Sequence, residues 1–221
     1  MDRSQQLLER FVELTQSDDA DIDLAEAALL IAAMEDPQLQ ISRQLGLLDS
    51  ISAGASNLFS GDTEPLYCLN TLSEYLFDEV GFRGNPENYY DPRNSFLNEV
   101  LSRRLGIPIT LSLVFIEVGK RLGVPLLGVG MPGHFLLRHR SEENLFIDPF
   151  HRGILLSKEE CAQRMAQVTQ ANIPWDAKFL TPLSNRAYLA RLLRNLKGIY
   201  WQSKDYDRAL NIIHRLVSLY P

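Results

Sequence analysis

Residues Gly106 to Phe150 constrain this chain more than any other stretch. They read GIPITLSLVFIEVGKRLGVP, then LLGVGMPGHFLLRHR, then LFIDPF. The first block predicts a helix with Pro108 in its first turn, running to Leu122. It is apolar nearly all round, so it must be buried. Glu117 and Lys120 mark its expected exposed edge. The following blocks predict short strands at Leu126 to Val129, His134 to Arg140 and Leu145 to Ile147. SEEN, Ser141 to Asn144, is a polar hairpin turn between the last two. A buried helix beside a small hairpin sheet is an α+β core.

Helices flank that core. Leu7, Leu8, Phe11, Val12 and Leu14 share one side of a first helix. Asp23 caps a second, Leu24 to Met34, and Leu39 to Ile51 makes a third. SGDTE predicts a fourth, capped by Asp62 with Pro65 in its first turn, ending before Gly81. Gly81 to Ser95 is dense in turn formers and unusually rich in side chains that can bind, including Tyr89, Tyr90 and Asn94. Pro92 is placed in the first turn of the next helix, which runs to about Leu105 and is ended by Gly106. Ser157 and Glu160 have capping-box spacing. Leu183 to Gln202 and Tyr206 to Tyr220 form a last helix pair.

The spacing of Leu196, Tyr200, Asp205, Tyr206, Ala209, Leu210, Ile213 and Pro221 fits a tetratricopeptide helix pair, although Lys197 stands where that repeat takes Gly or Ala. One such pair cannot enclose its own apolar faces. It must dock on the preceding domain or stack on further repeats, and Pro221, where such a unit closes, predicts further sequence beyond it. The expected organisation is N-terminal helices packed on a small antiparallel sheet over residues 1–175, then a helical hairpin over 176–221.

Composition narrows the function classes. The net charge is -6 and the basic residues are scattered, which argues against direct nucleic-acid binding. The N-terminus is charged and lacks a signal-peptide core, and charges interrupt every apolar run before it reaches a membrane span. Cys68 and Cys161 make no disulfide framework. No His, Cys or Asp cluster has metal-ligand spacing and no Gly-rich loop has phosphate-binding form, so neither metal nor cofactor is expected. A cytoplasmic protein is the expected setting.

His134 and Asp148, on neighbouring strands that face the start of the buried helix, are two thirds of a thiol-type catalytic triad. The third member should be a Cys at the helix start, and none is there. The same pair also suits a purely structural role, a histidine ring bonded to Asp148 that ties two strands together. Tyr89 to Asn94 is either a rigid turn satisfying buried backbone or one wall of a cleft shared with His134. Cys161 reads as a small buried apolar residue. His139, His151 and His214 are expected to face solvent.

The blocks NYYDPRNSFLNEVLSRRLGIPITLSLVFIEVGKRLGVP, GVGMPGHFLLR and FIDPF followed by LLSKEEC carry a resemblance to the SirB1 family. That family has a transglutaminase-like core of the papain-type superfamily, often followed by tetratricopeptide repeats. The resemblance covers roughly Asp23 to the C-terminus. In active members of the superfamily the nucleophilic Cys opens the buried helix, where the helix dipole and N-terminal amides favour a thiolate. His134 matches the family's His and Asp148 its Asp. The Cys position falls near Pro108 to Ser112, where only Thr110 and Ser112 offer a hydroxyl, and both residue types also serve as ordinary helix-start caps. The expected function is a non-catalytic transglutaminase-like module that binds a protein or peptide, with Tyr89, Tyr90, Asn94 and Asn98 as candidate binding residues. The alternative is a hydrolase or acyl-transfer enzyme using Ser112 or Thr110 with His134 and Asp148.

Overall fold

The structure is a computed structural model that describes residues 3–59, 64–169 and 173–220. Helices α1 (Arg3–Thr15), α2 (Leu24–Ala32), α3 (Ile41–Ala55) and α4 (Pro65–Glu74) lead the chain. Asp23 caps α2 as its sequence position suggests, its side chain accepting from the Glu26 amide at 2.9 Å. Asp62 lies outside the described residues. The α4 cap is Glu64, which accepts from the Tyr67 amide at 2.7 Å, and the helix continues through a wide π turn at Tyr75–Glu79.

Strand β1 (Arg83–Gly84) leads into the turn-rich loop. Pro92 does not open the following helix. It begins a separate 3-10 turn, Pro92–Ser95, and extended Phe96 (φ -97°, ψ 122°) breaks the chain before α5 (Leu97–Arg103). Nor does Gly106 end α5. Arg104 does so, in the left-handed region at φ 60°. Gly106 instead belongs to β2 (Leu105–Gly106), which pairs in parallel with β1.

The apolar helix is α6 (Pro108–Arg121), buried along almost its whole length. Glu117 is not on an exposed edge. Its side chain is buried and paired with Arg121 at 2.8 Å. Burial pushes its carboxyl pKa up. After α6 come β3 (Leu126–Val129), β4 (Leu136–His139), β5 (Phe146–Asp148) and β6 (Ile154–Leu156). They form an antiparallel sheet in that order. Helix α7 (Lys158–Val168) follows, with the expected capping box at Ser157 and Glu160. The chain closes with α8 (Asn185–Gln202) and α9 (Tyr206–Ser218).

Strand alternation distributes the sheet between two cores. Phe135, Leu137 and Ile147 join the main core with α2, α5 and α6. Leu136 and Phe146 face the other way, into a smaller core with Cys161 and Met165 of α7. Asp148, two residues after Phe146, shares the α7 side. The C-terminal hairpin docks on the main core through α8: Leu189, Leu193 and Leu196 are fully buried within it. Among the described residues, no helix is long and apolar enough to cross a membrane.

Candidate functional site

Asp148 anchors the site. It ends β5 and caps the 3-10 turn Pro149–His151. That turn aims two backbone amides at Oδ1, from Phe150 at 3.2 Å and His151 at 3.3 Å. The same turn brings His151 back over the carboxylate, with Nδ1 2.8 Å from Oδ2. His134 approaches the same Oδ2 through Nε2 at 2.9 Å, close in distance but off the line of a straight N–H···O bond. Arg164 of α7 completes the shell, its Nε 3.6 Å from Oδ2. Asp148 is fully buried. Burial alone would raise its pKa, but the ring nitrogens of His134 and His151 outweigh it and hold the carboxyl well below the usual range.

His134 lies two residues ahead of β4. The turn that delivers it needs Gly133, at φ 72°, where a Cβ would also press on Val168 and Thr169 at 3.0–3.1 Å. Arg191 of α8 braces the turn from outside, donating to the Met131 carbonyl at 2.8 Å and to the His134 carbonyl at 3.3 Å. Phe150 packs edge-on to the His134 ring, with centroids 6.3 Å apart. With Nε2 on Asp148, Nδ1 is the ring nitrogen left to meet a ligand.

His134, Asp148 and His151 have one potential ligand atom each within 4.8 Å of one another, a cluster that sequence spacing did not reveal. Their surroundings suit a proton better than a divalent cation. Arg164 Nη1 lies 3.3 Å from His151 Nε2, and a guanidinium only donates, so Nε2 must accept. That tautomer leaves the proton on Nδ1, pointing at Asp148. A metal would have to displace this proton beside the Arg164 charge.

The start of α6 shows where the two candidate hydroxyls lie. Thr110 Oγ1 donates to the Asn94 carbonyl at 2.6 Å and accepts from the Ile107 amide at 3.1 Å. It caps the helix and fastens the turn-rich loop to it. Ser112 is fully buried, and its Oγ has no hydrogen-bond partner among the described residues. Neither hydroxyl bonds to His134. The helix start instead presents Pro108 and Ile109 to a cavity of about 110 Å³, which His134, Tyr89, Phe135 and Arg191 also line. Cys161 is buried near Asp148, and burial chiefly, with the Asp148 charge, pushes its thiol up to about 12, the opposite of an activated thiolate. Cys68 is buried on α4.

The loop residues divide. Asn94 is fully buried and braces the loop: it accepts from Asn85 at 3.1 Å and donates to the Asn88 carbonyl at 2.7 Å. Asn98 is half-buried on α5, and its Oδ1 has no partner among the described residues. Tyr89 lines the His134 cavity and packs edge-on to Phe150 at 5.8 Å. Burial raises its phenol pKa. Tyr90 is largely exposed beside it. The structure therefore brings Tyr89 together with His134 and Asp148, and it uses Thr110 and Asn94 as internal fastenings.

Of the histidines expected to face solvent, His139 does not: it is buried against Ser141, Nδ1 to Oγ 2.8 Å. His151 keeps its side chain 37% exposed while also partnering Asp148. His214 is exposed as expected. The sequence reading also missed Arg164 and Arg191. His151 carried one usable signal, its place three residues after Asp148, where a tight turn returns a side chain to its cap. The two arginines carried none.

Comparison with known proteins places these features in a family. A model described as the transglutaminase-like superfamily matches residues 43–194. A UPF0162 protein of Xylella fastidiosa is 37% identical over 225 residues, covering 98% of this chain and 79% of that protein. The UPF0162 protein of Pseudomonas aeruginosa is 32% identical over 202 residues, 90% of this chain and 72% of the other. F-box only protein 21 of Mus musculus is 36% identical over 177 residues, 76% of this chain but 27% of that longer protein. No solved structure matches. The chain belongs to the transglutaminase-like superfamily and, within it, to the UPF0162 family.

Proposed function

We propose that this chain is a non-catalytic transglutaminase-like module that binds a peptide or protein segment in the cleft beside His134. One observation carries the reading. Where active members of the superfamily present a thiol to the histidine, this chain presents Pro108 and Ile109, and the hydroxyl of Thr110 at the same helix start is committed to the Asn94 carbonyl at 2.6 Å. The His134–Asp148 pair is then a remnant with a structural task. It fixes the end of the sheet and the shape of the cleft.

The alternative, a hydrolase or acyl-transfer enzyme, draws on Ser112, whose hydroxyl has no partner among the described residues, and on an Asp148 held ionised to orient His134. A hydroxyl nucleophile needs the histidine within hydrogen-bond reach, about 2.6–3.2 Å, and no such bond is made. One experiment separates the two. The protein is incubated with a synthetic decapeptide library, and bound and free peptides are recovered by filtration and read by mass spectrometry. Retention of intact peptides, reduced in Tyr89→Ala, is the expected result. Cleaved or acyl-transferred peptides that disappear in His134→Ala would overturn it.

A further inference from the structure

The His134 cavity is not isolated. A second recess of about 180 Å³ opens beside it along α8, lined by Tyr90, Ile107, Arg194, Gly198 and Gln202. The two recesses share Tyr89 and Asn195, so they form one groove. Its α8 wall runs from Arg191 to Gln202, about 16 Å at the helical rise of 1.5 Å per residue. That length matches about five residues of extended chain.

The charge of this wall is unusual for the molecule. The chain as a whole carries a net charge of -6. Yet α8 contains Arg186, Arg191, Arg194 and Lys197 and no acidic residue. Arg186 is spent on the Thr15 and Ser17 carbonyls. Arg191 and Arg194 both line the groove, and neither has an ion-pair partner among the described residues. Arg191 already bonds carbonyls of the His134 turn, which holds its guanidinium in place but leaves its charge uncompensated. The opposite wall is aromatic: Tyr89 and Tyr90 stand edge to face at 5.3 Å, with Tyr90 66% exposed.

Gly198 adds an independent observation. A glycine inside a helix costs about 1 kcal/mol relative to alanine. A Cβ there would meet nothing within 4 Å, so no packing within the chain demands it. It sits in the groove, where the missing side chain leaves room for another backbone to approach the helix closely.

We infer that this groove binds an extended acidic peptide, its carboxylates against Arg191 and Arg194 and an apolar side chain against the outer face of the Tyr89–Tyr90 pair. The inference rests on the peptide-binding reading above and adds the partner's chemistry to it. The cation at Arg194 steers and selects, while the aromatic wall and the Gly198 gap admit the chain.

The test uses the full chain and three fluorescein-labelled hexapeptides, read by anisotropy. The first has four glutamates, one phenylalanine and one leucine. The second replaces the glutamates with glutamine, the third with lysine. The acidic peptide is expected to bind at least ten-fold more tightly than the glutamine peptide, with affinity falling as salt rises, and the lysine peptide to be excluded. Arg194→Glu should weaken the acidic peptide ten-fold or more, and so should Gly198→Leu, each with unchanged circular dichroism, while Arg194→Lys should retain most of the binding. Equal affinity for all three peptides, or an unaffected Arg194→Glu variant, would overturn the inference. Failure of the two readings is distinguishable. If the glutamine peptide binds as well and Tyr89→Ala removes it, the acidic assignment falls and the peptide cleft stands. If no peptide of any charge binds, both fall.

Discussion

The Tyr188 hydroxyl donates to the Ile109 carbonyl at 2.5 Å, which bonds the C-terminal hairpin to the first turn of the buried helix. Tyr188 is itself buried, its ring edge-on to Phe135 at 4.8 Å. The hairpin is thus attached at the start of the buried helix. Tyr188→Phe keeps the ring and removes only this bond. It should cost about 1 kcal/mol of stability, seen as a lower urea midpoint at unchanged slope. A variant as stable as the parent would mean that the bond does not fasten the two parts.

The hairpin also shares the main core. Leu193→Ala in the full chain removes a fully buried side chain and should destabilise by about 2–5 kcal/mol. Conversely, a fragment from Thr181 onward leaves the faces of Leu189, Leu193 and Leu196 uncovered. It should show little cooperative unfolding by circular dichroism. A sharp transition at low concentration would establish an autonomous unit and contradict the docking.

Asp148 sets an acid limit. Its carboxyl pKa is depressed in the folded protein, chiefly by His134 and His151 acting against burial. A depressed carboxyl contributes stability that is fully present above its unfolded value, about 3.9, and is lost as pH falls through the lower folded value. Stability should therefore decline below about pH 4. Asp148→Asn should be less stable at pH 7 and should show a shallower decline in that acid range. Equal acid slopes in the two proteins would show that Asp148 is not the group responsible.

Cys161 should be chemically quiet. Its thiol, pushed up to about 12 in the smaller core, offers almost no thiolate at pH 8. Ellman's reagent should leave it unmodified in the folded protein and react with it after unfolding in guanidinium. Rapid modification of Cys161 under native conditions would refute the inert-core reading.

Much of this arrangement was legible in the sequence, and the parts that were not share a cause. The α6 run and the His134–Asp148 hairpin could be read because apolar periodicity and a short polar turn act locally. The two-residue strands β1 and β2 have no periodicity to read, and they pair across a long sequence gap just after Arg104 turns the chain in the left-handed region. Glu117 looked exposed by its charge, but Arg121 four residues on pairs with it and lets that face be buried. His151 looked like a surface residue because its partner is set by the turn after Asp148. Arg164 and Arg191 reach the site from helices docked by long-range packing, which no local pattern announces. Thr110 was legible only as one of two roles, and its bond to the Asn94 carbonyl depends on how the turn-rich loop folds over the helix.

On the proposed function, the cleft keeps its histidine and aspartate but has no working nucleophile. A fluorophosphonate probe, which traps an activated hydroxyl covalently, tests it most directly. After incubation at pH 7.5, intact-mass and peptide mass spectrometry should find no adduct on Ser112 or Thr110, in the parent and in His134→Ala alike. An adduct on either residue that forms in the parent and vanishes in His134→Ala would contradict the account and establish a serine- or threonine-based enzyme.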